Sequence, residues 1–305
     1  MKLTNLLHLD WTRTNKSRIQ DREFIPMRLK TWLEQARIAL KDFSQDPGLD
    51  VQILLMHEFG KTKSWVLSHP DDNLDARKIA SLQSLLSRVR QGEPIPYIIG
   101  HWEFYRLDLL VTPDVLIPRP ETEMMVEFAL EWLTEHACQK QRVLDMGTGS
   151  GCISVALAFR YPNVSIIGVD SSEQALKVAR KNAEMYHLEK RIQFVRSNLF
   201  AIVEGKFDVI CANLPYIPTK ELRSLVVSKF EPNIALDGGE DGLTIISTFL
   251  RDAVSFVNHP GLILCEYGIG QQDAIRKLAD FHFPQGEKKT LNDLQGIPRI
   301  LSIKM

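Results

Sequence analysis

Asn213-Leu214-Pro215-Tyr216 puts a side-chain amide, two backbone carbonyls and a phenol ring into four consecutive residues. The nitrogen of an amide or an aromatic amine is a poor nucleophile, because its lone pair is delocalised. Two hydrogen-bond acceptors, one for each N–H, hold such a group in plane and favour charge build-up on nitrogen as an electrophile arrives. The Asn213 side-chain oxygen and the Leu214 or Pro215 carbonyl are the candidate acceptors. Proline has no N–H to donate, so the loop offers acceptors in a fixed shape. Tyr216 adds a flat face for a planar group, and a ring beside a cationic cofactor contributes about 0.5 to 2 kcal/mol. Elsewhere in a protein the same four residues would be an ordinary Asn-x-Pro turn.

The electrophile is indicated by Asp145-Met146-Gly147-Thr148-Gly149-Ser150-Gly151, which follows an apolar run and precedes a helical one. Glycines let the backbone turn tightly and approach a ligand without interference from Cβ. A dinucleotide loop requires G-x-G-x-x-G, and Cys152 stands where its last glycine belongs. G-x-G-x-G favours S-adenosylmethionine, with Gly147, Thr148, Gly149, Ser150 and Gly151 against it. Asp170 closes the next strand, where a carboxylate can accept both ribose hydroxyls. It can also cap a helix together with Ser171 and Ser172. Asp145 is expected to face the methionine end. Together the two loops imply methyl transfer to a planar nitrogen.

These loops need a scaffold that brings strand ends together. From Arg142 onward, strands predicted at Val143-Leu144, Ser165–Asp170, Ile192–Val195, Phe207–Ala212, Gly261–Glu266 and Arg299–Lys304 alternate with helices. Such alternation implies a mostly parallel sheet covered on both faces, with ligands at the carboxyl ends of its strands. Upstream, Trp32, Ala36, Ala39 and Leu40, then Val51, Leu54, Leu55 and Phe59, then Leu82, Leu85, Leu86 and Val89 recur at helical spacing. Between Gly92 and Pro120, prolines and β-formers such as Tyr97-Ile98-Ile99 and Leu109-Leu110-Val111 predict a short hairpin. After it, Pro120 suits a first helical position, and Met125, Phe128, Ala129, Trp132 and Leu133 share one face. The organisation expected is a helical substrate-positioning domain over 1–93, a hairpin linker over 94–118 and a catalytic α/β domain over 119–305.

At 305 residues, 44% hydrophobic and 25% charged, the chain has the composition of a globular protein, not a disordered or fibrous one. A net charge of -1 gives no field to hold a polyanion, which argues against a dedicated or sequence-specific nucleic-acid binder. Cys138, Cys152, Cys211 and Cys265 lack C-x-x-C spacing and read as reduced thiols. There is no metal-ligand constellation, no membrane-span run and no signal-peptide core, so a cytoplasmic protein is expected. Residues 1–37 carry a modest basic excess, suited to a solvated arm or to a contact with an RNA-bearing partner.

The sequence closely resembles the protein-(glutamine-N5) methyltransferases that modify bacterial peptide chain release factors. The resemblance covers roughly Asp50 to the C-terminus. It is carried by Gly92-Glu93-Pro94-Ile95-Pro96-Tyr97-Ile98-Ile99-Gly100, by Val115-Leu116-Ile117-Pro118-Arg119-Pro120-Glu121-Thr122-Glu123, by the glycine loop, by the Asn213 loop and by the run from Glu231 to Leu243. It implies a class I, Rossmann-like, seven-stranded α/β methyltransferase domain with a small N-terminal helical domain and a connecting β-hairpin. It also implies S-adenosylmethionine as cofactor and the glutamine of a release factor Gly-Gly-Gln loop as substrate. Gly147 to Gly151 and Asp170 would bind the cofactor, and Asn213 would contact both ligands. Pro215 and Tyr216 would hold the glutamine, beside Leu214, and Phe104 and the Arg119–Glu123 segment, Glu123 included, would close over it. The family usually has Asn-Pro-Pro-Tyr, so Leu214 makes the loop less rigid. At Asn198-Leu199 it commonly has an Asp and often an aromatic against the adenine, which puts Leu199 at the cofactor. Ribosomal protein L3 glutamine and, less well, DNA amino groups remain rival acceptors for this chemistry, as does a binding protein without turnover.

Overall fold

The computed structural model describes residues 27–137 and 140–305. Most of the basic arm, residues 1–26, and Cys138 lie outside them. The chain divides into two compact units, the first comprising 27–42 and 46–84 of the described residues and the second 43–45 and the described residues from 85 onward.

The first unit is helical. It holds β1 (Met27–Arg28), α1 (Leu29–Ala39), α2 (Pro47–Phe59), α3 (Lys63–Ser68), β2 (Asn73–Leu74) and the start of α4 (Ala76–Arg90). Asp46 caps α2 by accepting from the Leu49 N–H at 3.0 Å, and Pro47 occupies the first turn, where no N–H is needed. Gly60, at φ +57°, ends that helix in the left-handed region. The apolar stripes bury Leu29, Trp32 and Ala36 of α1 and Val51, Leu54 and Leu55 of α2. The divide between units falls inside α4, between Ser84 and Leu85.

The second unit opens with α5 (Ile95–Ile99), β3 (His101–Phe104) and β4 (Leu107–Leu110). Only β3 and β4 form the expected hairpin, and Tyr97-Ile98-Ile99 is helical, a correction to the strand reading. Pro96 sits in the first turn of that short helix, Gly100 at φ +81° stops it, and the Tyr97 hydroxyl donates to the Val115 carbonyl at 2.5 Å. Asn182 pins the hairpin by accepting from the Leu110 N–H at 2.7 Å and donating to its carbonyl at 3.0 Å.

The chain continues through α6 (Pro120–Glu135), β5 (Gln141–Met146), α7 (Cys152–Arg160), β6 (Val164–Asp170), α8 (Glu173–Met185), β7 (Ile192–Arg196), β8 (Phe207–Ala212), α9 (Thr219–Leu222), α10 (Thr244–Ala253), β9 (Val257–Glu266), α11 (Gln272–His282), β10 (Glu287–Asn292) and β11 (Pro298–Lys304). The seven-stranded sheet has the order β10-β11-β9-β8-β5-β6-β7; β5 to β9 are parallel, and β11 is antiparallel to both its neighbours. Strand residues alternate between two cores. Val143, Val209, Cys211 and Leu264 face Met125, Ala129 and Leu133 of α6, while Leu144, Ile210, Ala212 and Cys265 face Ile246, Phe249 and Leu250 of α10. Burial on both faces explains why these strands read as unbroken apolar runs. The strand not marked in the sequence, β10, is an edge whose residues are exposed or half-buried, with Lys288 and Lys289 in its middle.

Candidate active site

The order of the sheet reverses between β5 and β8, and this is where a parallel sheet opens a crevice at its carboxyl end. Met146 and Ala212 are register partners, so the glycine loop and the Asn213 loop leave the sheet side by side. Gly147, at φ +75°, marks how close they come. A Cβ there would lie 3.0 Å from Leu214 Cδ2 and 3.1 Å from the Asn213 carbonyl oxygen. A cavity of about 1030 Å³ opens over these ends, lined by Gly147 to Ser150, Asp170, Asn198 to Ala201, Asn213 to Pro215, Arg119 and Thr122. Helix α10 adds Thr244, Thr248 and Arg251. The volume sits at the upper end of the range for one small-molecule ligand, about 300 to 1,000 Å³.

On the glycine-loop side, Asp170 braces the backbone: Oδ2 accepts from the Gly149 N–H at 2.9 Å and Oδ1 from the Ser172 N–H at 2.8 Å. Burial raises its carboxyl above the usual range, while the Ser172 and Gly149 amides pull it back. Ser172, and not Asp170, caps α8, accepting from the Ala175 N–H. Asp145 lies behind the cavity wall. It is fully buried, and Oδ2 accepts from Thr148 Oγ1 at 2.7 Å, Ser154 Oγ at 2.6 Å and the Ser154 N–H at 3.1 Å. Through Oδ2 it shapes the glycine loop from within. Gly151 is also off the wall, tight against Ala179 of α8. Leu199, at φ +47°, does line the cavity, next to Phe200, whose ring stacks on Phe256 at 4.5 Å.

On the other side, the Asn213 Nδ2 donates to Thr122 Oγ1 at 3.0 Å, and Thr122 Oγ1 donates to Glu266 Oε2 at 2.7 Å. The Tyr216 hydroxyl reaches the other oxygen of Glu266 at 3.5 Å. Burial pushes the Glu266 carboxyl up to about 7, with Thr122, Arg299 and Tyr216 opposing the rise and Glu121 adding to it. Burial, then the neighbouring Glu266, raises the Tyr216 hydroxyl, which stays a neutral donor. Arg119 pairs with the buried Glu231, which also accepts from the Ile117 N–H at 3.1 Å. That pair ties the segment before α6 to the segment after the Asn213 loop.

Leu214 occupies the position where a second proline would stiffen the loop, yet it is only 4% exposed and packs into the core that faces α10. Burial of its side chain does what a ring would do through the backbone. Leu214→Ala is expected to cost about 2 kcal/mol of folding stability, measured by urea denaturation, through lost transfer energy and a residual cavity.

The structure brings together Gly147, Thr148, Gly149, Ser150, Asp170, Leu199, Asn213, Leu214 and Pro215 on one cavity wall. It does not bring Phe104 or Glu123 there. Phe104 is 1% exposed inside the core under α6, and Glu123 accepts from the Tyr105 N–H at 2.8 Å at the tip of the hairpin. Tyr216 stands behind the wall, directed at Glu266. Thr122 falls within the Arg119–Glu123 segment expected at the site, whereas sequence reasoning did not single out Glu231 and Glu266 as site residues. Glu266 carried a legible signal: a carboxylate ends the apolar run Leu262-Ile263-Leu264-Cys265 at the carboxyl end of a central strand. Cys152, Cys211 and Cys265 are free thiols. Among the described residues no helix is long and apolar enough to cross a membrane, and no three His, Cys, Asp or Glu are grouped to hold a metal ion.

Comparison with known proteins agrees with this architecture. A family model described as the PrmC N-terminal domain matches residues 31–100, and one described as the methyltransferase small domain matches 123–233. The chain is 36% identical to a release factor glutamine methyltransferase of Coxiella burnetii, covering 86% of this chain and 93% of that protein. It is 36% identical to the one of Buchnera aphidicola over 82% and 90%, and 39% identical to the one of Vibrio cholerae over 77% and 82%. Among solved structures, the hMettl16 catalytic domain in complex with a 3′UTR hairpin superposes with a TM-score of 0.54 at 12% identity, covering 77% of this chain and 84% of that one. At that identity the likeness shows the fold alone.

Proposed function

Because the chain belongs to the family of release factor glutamine methyltransferases, we propose that it transfers a methyl group from S-adenosylmethionine to the side-chain nitrogen, N5, of the glutamine in the Gly-Gly-Gln loop of peptide chain release factors. The observation that carries the reading is the commitment of the Asn213 Nδ2 to Thr122, which leaves Oδ1 as the atom of that side chain for a substrate N–H.

The cavity fits the cofactor on its own terms. Gly147 and Gly149 have positive φ and let backbone and ligand approach, and Asp170 offers a partly desolvated carboxylate beside them. Asp170 and Gly147 to Ser150 would hold S-adenosylmethionine, with Leu199 and Phe200 on the apolar side. When bound, it supplies a methyl group activated by its sulfonium. Asn213 Oδ1 and the Leu214 or Pro215 carbonyl accept the two N–H groups of the glutamine amide. This keeps the amide in plane, stabilises positive charge developing on nitrogen and needs no strong base. The amide nitrogen would take the methyl group as the methyl–sulfur bond breaks, leaving S-adenosylhomocysteine, and would then release one of its two protons to water. Pro215 contributes wall, and Tyr216 acts from behind through its hydroxyl. In this reading the helical region within 1–93 positions the release factor, 94–118 links it to the catalytic residues of 119–305, and the enzyme works in the cytoplasm.

Incubation with methyl-labelled S-adenosylmethionine and a recombinant release factor, followed by digestion, is expected to put label on the Gly-Gly-Gln peptide. Label on ribosomal protein L3 or on DNA, with the release factor blank, would replace this reading. The names of the relatives favour the release factor.

A further inference from the structure

Three groups behind Asn213 take no direct part in the proposed transfer: Thr122, Glu266 and the Tyr216 hydroxyl. Thr122 Oγ1 lies 3.0 Å from Asn213 Nδ2 and 2.7 Å from Glu266 Oε2, and both Thr122 and Glu266 are buried. A hydroxyl carries one proton, and an ionised carboxylate only accepts. The Thr122 proton is therefore spent on Glu266, and toward Asn213 the hydroxyl can only accept. Asn213 must then turn its NH2 to Thr122 and its Oδ1 to the cavity.

We propose that Glu266 is a positioning residue for methyl transfer, which acts through Thr122 to hold the Asn213 amide with its oxygen toward the substrate nitrogen. The inference rests on the role proposed for Asn213 in the transfer. A protonated Glu266 donates to Thr122, and the Thr122 proton is then free to point at Asn213. That proton keeps a partner when the amide turns Oδ1 toward it, so the arrangement with Oδ1 toward Thr122 and NH2 toward the cavity is favoured. A substrate amide would then meet donor against donor, which costs a buried polar group its partner.

The surroundings leave Glu266 able to ionise close to neutral pH. Burial raises it to about 7, Glu121 of α6 opposes its charge, and Thr122, Arg299 of β11 and Tyr216 from the loop after β8 favour it. The thiols of Cys265 beside it and of Cys152 on α7 are pushed up by burial and stay uncharged. Arg119 is held by Glu231. Loss of the Glu266 charge as pH falls through about 7 is thus the event that releases the amide.

The test compares wild type, Glu266→Gln, Thr122→Val and Thr122→Ser, with thermal unfolding and cofactor binding measured on each. In wild type, kcat for release factor methylation is expected to fall about tenfold per pH unit below about 7, as for one essential ionisation. Glu266→Gln, whose amide does not titrate, is expected to lose this acid limb and stay within about twofold between roughly pH 6 and 8. Thr122→Val is expected to lower kcat by about 10- to 100-fold with the cofactor dissociation constant nearly unchanged, and Thr122→Ser to recover most of the loss. An acid limb that persists in Glu266→Gln, or a wild-type kcat in Thr122→Val, overturns the proposal.

A second readout does not depend on turnover. The side-chain NH2 resonance of Asn213 in ¹⁵N-labelled protein, assigned by its absence from Asn213→Ala, is expected to titrate in wild type and to be pH-invariant in Glu266→Gln. A resonance that does not titrate in wild type overturns the proposal whatever the activity. A titrating resonance in an enzyme that leaves release factor unlabelled supports the relay and removes the proposed substrate instead.

Discussion

Asn213→Ala is expected to lower kcat by about 10²- to 10³-fold and to leave the protein folded, the loss that follows when one preorganised polar group is removed from a site of charge development. The variant deletes Oδ1, the acceptor for one substrate N–H, and it also deletes the Nδ2 partner of Thr122. The Leu214 and Pro215 carbonyls are untouched, so one acceptor survives, and catalysis does not vanish. Asn213 is half-buried and its side chain caps no helix and pairs with no backbone group, so its removal leaves the sheet and helices intact. Single-turnover rates at saturating cofactor and release factor isolate the methyl transfer. An unchanged rate would remove Asn213 from the mechanism. Asn213→Asp is expected to lose activity as well, because two carboxylates would then compete for the one proton of Thr122.

That side chain was legible in the sequence because it needs only a strand, a short loop and a residue type. Val209-Ile210-Cys211-Ala212 is apolar throughout, and the residue after it must sit at the carboxyl end of a buried strand. The same logic placed Gly147 to Ser150 and Asp170. It failed where the partner is remote. Thr122 and Glu266 are 144 residues apart, and Arg119 and Glu231 are 112 apart, so no local pattern couples them. Asp145 begins the glycine loop, but side chains alternate along a strand, and its own points into the protein toward Ser154 and Thr148. Phe104 and Glu123 carry types suited to binding, yet they hold the hairpin to α6 instead. Tyr97-Ile98-Ile99 has the composition of a strand, and the helix it forms is set by Pro96 before it and Gly100 after it.

The second large effect is on binding. Asp170→Ala is expected to raise the dissociation constant for S-adenosylmethionine by about 10²-fold, with kcat at saturating cofactor within a few-fold of wild type. Two losses combine. The carboxylate would no longer receive the ribose hydroxyls, and its brace on the glycine loop would go with it, freeing the Gly149 N–H now held at 2.9 Å and the Ser172 N–H at 2.8 Å. A hydrogen bond to a charged group contributes about 1.5 to 3 kcal/mol, and about 1.4 kcal/mol is tenfold in affinity, so one such bond to the ribose with some loosening of the loop accounts for the expected size. Asp170 touches neither Asn213 nor the Thr122–Glu266 pair, which is why kcat is spared. Because burial raises the Asp170 carboxyl, cofactor affinity in wild type should weaken on acidification, as protonation removes the acceptor, and this dependence should be absent from Asp170→Ala. Calorimetric titration separates the two contributions. A cofactor analogue lacking the ribose 2′ hydroxyl should lose affinity for wild type but not for Asp170→Ala, if the carboxylate grips the ribose. An analogue that discriminates equally in both proteins would assign Asp170 to the loop alone.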